Sequence, residues 1–125
     1  MENKLYVAEE EREKCRKVVE AFAELYERAD IVMVDVGKYG FVKLQYFIPS
    51  FGFNVMESYI DSQSLFNSLW NDWLFDKLLT PVLGTPAAEL ELEELFKLLP
   101  KERQDEIKAK KAYFQEKSGE APHQG

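Results

Sequence analysis

The hydrophobic period of this chain changes twice, and that double switch limits its fold more than any other feature. Up to Ala29 apolar residues recur at helical spacing, at Cys15, Val18, Val19, Phe22, Leu25, Tyr26 and Ala29. From Ile31 the pattern becomes short and β-branched, in IVMVDV (31–36), FVKLQYFI (41–48) and FNVMESYI (53–60). From Asp61 the helical spacing returns, with Leu65, Phe66, Leu69, Trp70, Trp73 and Leu74 on one side. A helix buries one stripe and a strand one alternating face, so each pattern is read as a different element.

The connections fix how the strands pair. GKYG and PSFG join the three strand segments through about four residues each. A parallel crossover needs a dozen or more, so the strands are expected to form an antiparallel meander. In the second strand Val42, Leu44, Tyr46 and Ile48 share one face and Phe41, Lys43, Gln45 and Phe47 the other. The first set is the expected core face, and the opposite face, which keeps two aromatics, is expected to be partly covered as well. Gly37, Gly40 and Gly52 fall in the turns. A phosphate-cradling loop joins a strand to a helix, and neither GxxxxGK[ST] nor GxGxxG is present, so these glycines are read as turn residues.

The expected first helix runs from about Ala8 to Ala29, with Glu9, Glu10, Glu11 and Glu13 complementing the positive end of its dipole. Asp61 or Ser62 can cap a second helix that reaches about Leu79. Phe75, Leu78 and Leu79 fall on the polar side of that helical wheel, so its last turns must be buried on more than one side. A third helix is expected to open at Thr85-Pro86 with the stripe Leu92, Leu95, Phe96 and Leu99, and to end at Pro100. A fourth spans about Lys101 to Lys117, with Gly119 as its stop and only Ile107, Ala112, Tyr113 and Phe114 for apolar content. The predicted fold is therefore α+β. An N-terminal helix and a three-stranded meander are followed by three helices, with helix–sheet packing and a C-terminal helical pair. The 125 residues suit one domain over 1–118 with a flexible tail at 119–125.

The remaining features narrow the function. The formal net charge is −7, and Lys108, Lys110, Lys111 and Lys117 are interleaved with Glu102, Asp105, Glu106 and Glu116, so a nucleic-acid partner is disfavoured. Helix, three strands and helix is also the element order of double-stranded RNA-binding domains. The likeness stops there, because the second helix opens DSQSLFNSLWND where such a domain needs lysines. No run approaches the roughly 20 apolar residues of a membrane span, and the N-terminus lacks the apolar core of a signal peptide. With a single cysteine the expectation is a cytoplasmic protein without a membrane partner.

Catalytic constellations are sparse. Cys15 lies on the buried stripe, and the one histidine, His123, sits in the tail, so no catalytic residue, metal site or cofactor is assigned. Asp35 and Glu57 would make an acid–base pair or a hard-cation site if they faced one cleft. The simpler reading binds Asp35 to turn amides and Glu57 to Lys43. What stands out is apolar surface in the helical half. The expectation is a non-enzymatic protein-interaction module, self-associating through its C-terminal helices. Its surface would be Trp70, Phe75, Leu78, Leu92, Leu95, Phe96 and Leu99. The alternative is a pocket for a small apolar ligand, or an enzyme acting on one, between the sheet and the Trp-rich helix, drawing on Asp35, Tyr46, Tyr59 and Trp73.

Overall fold

The computed structural model describes residues 7–26, 30–45, 52 and 55–119. Helix α1 (Glu9–Leu25) is followed by strands β1 (Ile31–Asp35), β2 (Phe41–Gln45) and β3 (Val55–Tyr59) and by helix α2 (Ser62–Leu74). A π-helical turn (Phe75–Leu79) and two 3-10 turns (Thr80–Val82 and Pro86–Glu89) lead to α3 (Leu92–Leu98) and α4 (Lys101–Ser118). The strands form one antiparallel sheet in the order β1-β2-β3. This is the α+β arrangement that the periodicity predicts.

The glycines between β1 and β2 are turn residues. Gly37 and Gly40 both have positive φ, and the Val36 N–H donates to the Gly40 carbonyl at 2.9 Å. Gly40 also lets two strands close up, since a Cβ there would press into the Tyr59 carbonyl oxygen on β3. The register then sets Met33 beside Lys43 and Lys43 beside Glu57, with Asp35, Phe41 and Tyr59 as the neighbouring row.

The sheet is turned over relative to the sequence expectation. Phe41 and Lys43, each 3% exposed, point into the protein, whereas Val32, Val34 and Met56 on the opposite face are 40%, 36% and 74% exposed. Val42 and Leu44 are only half-buried. Counting Lys43 as polar caused the misreading. A lysine carries an apolar four-carbon stem, and when its ammonium finds partners it can occupy a core position. Tyr46, Ile48 and Phe47 lie outside the described residues.

Helices α1 and α2 cover the inward face. Cys15, Val18, Ala21 and Phe22 of α1 meet Leu65, Phe66, Leu69, Trp70 and Trp73 of α2 in the core. The N-terminus of α2 holds two carboxylates. Asp61 accepts from the Ser64 N–H at 2.8 Å, as expected of an N-cap, and Glu11 of α1 accepts from the Ser62 N–H at 3.1 Å.

The end of α2 resolves the conflict on the helical wheel. Continued as a regular helix, it would put Leu78 on the polar side. The π-helical turn rotates less per residue than a regular helix, so Leu78 swings back toward the apolar side and arrives in the core at 5% exposure, while Phe75 stays 42% exposed. The next expectation needs correction. Thr85-Pro86 opens a 3-10 turn, and the Thr85 hydroxyl donates back to the Val82 carbonyl at 2.7 Å instead of capping a helix. Leu90 is extended, and α3 starts afresh behind Glu91, whose N–H donates to the Glu94 carboxylate at 3.3 Å in a capping box.

Helix α4 packs across α1 and α2 with few apolar residues. Ile107, Phe114 and Ser118 are buried, and Phe114 stacks on Phe66 with ring centroids 4.3 Å apart. Gly119 ends the helix in the left-handed conformation, its N–H bonded to the Glu116 carbonyl at 3.2 Å. Among the described residues no helix is long and apolar enough to cross a membrane.

Candidate functional site

Two places bring chemistry together: a buried polar network under the sheet and an apolar groove among the C-terminal helices.

The network is built by β2, β3 and α2. Lys43 points inward from the central strand, while Ser68 and Asp72, one helical turn apart, point at it from α2. The Lys43 ammonium donates to Asp72 Oδ2 at 2.8 Å and to Ser68 Oγ at 2.9 Å, and Glu57 Oε1 lies at 3.3 Å. The Tyr59 hydroxyl donates to Ser68 Oγ at 2.6 Å. Burial by itself would lower the Lys43 pKa. The hydrogen bond and charge of Asp72, with the nearby Tyr59 and Glu57, outweigh it and hold the ammonium above its ordinary range.

A serine flanked by a lysine and a tyrosine invites a nucleophilic reading, but the proton inventory opposes it. Activating Ser68 requires a base to take its proton. Lys43 is held protonated, and both Lys43 and Tyr59 donate to the serine oxygen. The arrangement acts as an electrostatic tie between sheet and helix. Sequence reasoning missed Lys43, Ser68 and Asp72 as a unit. The available signal was weak: a lone charge in an apolar strand, and two small polar residues four apart.

Asp35 stands apart from this network. Its Oδ1 accepts from the Gly37 N–H at 2.8 Å, and Arg12 and Arg16 of α1 reach the carboxylate at 3.4 Å. The Gly37 amide holds the Asp35 carboxyl below the usual range; burial opposes it, and Arg16 and Arg12 add to the lowering. Asp35 thus ties the hairpin turn to α1. Of the four residues considered for a ligand pocket, Asp35 sits at this turn, Tyr59 in the lysine network, and Trp73 in the core, stacked on Trp70 at 4.8 Å between centroids. Tyr46 lies outside the described residues. Between β2 and α2 the Lys43 side chain spans to Ser68 and Asp72, and Phe41, Leu65 and Leu69 are buried. A concavity of about 380 Å³ does open at the sheet's end, lined by Tyr26, Asp30, Gln45, Asp72, Phe75 and Asp76 among others. Among the described residues no group of three or more His, Cys, Asp and Glu side chains could hold a metal ion.

The groove lies between α2, α3 and α4. Trp70 forms its floor, Leu74, Leu92, Phe96 and Ile107 its walls, and Glu93, Lys108 and Lys111 its rim, around about 430 Å³. Three residues of the expected interaction surface, Trp70, Leu92 and Phe96, meet here. Leu78 and Leu95 are core residues, at 5% and 6% exposure, as is Trp70 at 7% beneath the groove; Leu99 is half-buried, and Phe75 faces the other concavity.

Comparison of the chain with protein-family models, with curated proteins and with solved structures gives no match.

Proposed function

We propose that the protein is an interaction module whose docking site is the groove between α2, α3 and α4, and that this groove takes one amphipathic helix with acidic flanks. The groove's chemistry carries the reading. Its walls are apolar, its floor is a tryptophan, and Lys108 and Lys111 on its rim form no ion pair among the described residues. Helix-lined grooves of this kind receive apolar anchors spaced one turn apart, and the half-buried Leu74, Leu92 and Phe96 offer them apolar contact. Two ammonium groups that form no ion pair among the described residues, beside an apolar wall, favour a partner that brings carboxylates to the rim. A pocket for a small apolar ligand between the sheet and α2 has less in its favour, because the concavity there is lined by Asp30, Asp72 and Asp76 and the lysine network spans β2 and α2.

The test is selection of helical peptides from a randomised library on the intact protein. The expected binders share two apolar residues four positions apart, flanked by Asp or Glu. They lose binding to a Phe96→Asp variant whose near-ultraviolet dichroism from Trp70 and Trp73 is unchanged. If no binders emerge, or if they bind Phe96→Asp equally well, the reading fails.

A further inference from the structure

We infer that the helix received by this groove is α3 of a second copy of the chain, which makes the module a two-fold symmetric dimer. This rests on the groove being a docking site, and it names the occupant from charge and shape on the same face. Helix α3 has the chemistry the groove asks for. Leu92 and Phe96 stand one turn apart, and Glu89, Glu91, Glu93 and Glu94 are exposed along the same segment. Within one copy α3 cannot fill the groove, because it is one of the walls and Leu95 fixes it to the core.

The two walls carry opposite charge. Acidic α3 lies on one side, and α4 with Lys108 and Lys111 lies on the other. A two-fold axis over the groove exchanges the sides, so that each copy's Glu93 meets the other's Lys108 and Lys111. Such a self-complementary patch is what a closed dimer requires.

The experiment is sedimentation velocity on the full chain from low-micromolar to millimolar concentration. A reversible monomer–dimer equilibrium is expected. Lys111→Glu should weaken it about tenfold by placing like charges together. Adding Glu93→Lys to that variant should restore most of the loss, a rescue that damage to the fold would not give. The existing Glu93–Lys97 pair is highly exposed and contributes little, so its loss does not obscure the rescue. A chain that stays monomeric throughout, or a double variant no tighter than Lys111→Glu, overturns the inference. If selected peptides still dock at Phe96 on a strictly monomeric chain, the second copy alone is lost. If there is neither a dimer nor a peptide, the interaction reading falls with it.

Discussion

Lys43 and Asp72 meet at 2.8 Å across the boundary between the sheet and α2, although 29 positions separate them in the chain. The lysine side chain is 4% exposed and the aspartate 16%, so this ion pair lies inside the protein. Buried pairs of this kind return little net stability compared with apolar residues of the same size, but breaking one strands a charge.

Asp72→Ala should therefore cost about 3 kcal/mol, since Lys43 would keep only the half-exposed Glu57 as a carboxylate partner. Replacing both partners, as Lys43→Met with Asp72→Leu, should recover most of that loss. Urea unfolding of the single and double variants measures both. A single variant as stable as the parent would show that the pair does not hold the ammonium.

The two charged ties predict opposite limbs of the pH–stability profile. The folded pKa of Asp35 lies below its unfolded value, so its contribution is present above the unfolded value and fades as pH falls through the folded one. Asp35→Asn should flatten the acid limb. The folded pKa of Lys43 lies above its unfolded value, so its contribution is complete below the unfolded value and is lost as pH rises through the folded one. Asp72→Asn should move alkaline unfolding to lower pH. Thermal midpoints across the pH range report both, and unchanged limbs would rule the assignments out.

Two glycines of one turn should respond differently. Gly37 has φ +66 with open space beyond it, and Gly37→Ala should cost about 1 kcal/mol. Gly40 has φ +95 and ψ −143, a region that favours glycine, and its missing Cβ faces the β3 backbone. Gly40→Ala should cost about 3 kcal/mol or more, because strain and a clash with backbone combine. Equal losses in a denaturant series would contradict the close approach of the turn to Tyr59.

Phe114 holds α4 in place. It is 1% exposed and packs on Phe66 and, at 6.1 Å between centroids, on Phe22. Phe114→Ala should cost about 3–5 kcal/mol. Ile107 is the one other buried hydrophobic residue of α4, so the helix should loosen before the rest. Hydrogen exchange should show amides 104–118 losing protection while those of α2 keep theirs. Uniform loss would mean that α4 does not open separately.

The sequence by itself determined the order of the main helices and strands, though not the π-helical end of α2 or the 3-10 turn at Pro86, because period, capping and turn chemistry are local properties. Asp61 caps α2, Gly119 stops α4, Gly37 and Gly40 turn the first hairpin, and the short connections force antiparallel pairing. The tie from Asp35 to a turn amide was legible for the same reason, being two residues long. Tertiary structure decided which face of the sheet is buried. The alternation in β2 offers two faces, and the choice rested on whether an ammonium at position 43 could be satisfied by residues 25 and 29 positions away. It likewise decided that Trp70, Leu78 and Leu95 belong to the core while Leu92 and Phe96 line a groove, since a helical stripe shows what is apolar but not which neighbour covers it. Burial and electrostatic pairing depend on distance in space, and a linear pattern records only distance along the chain.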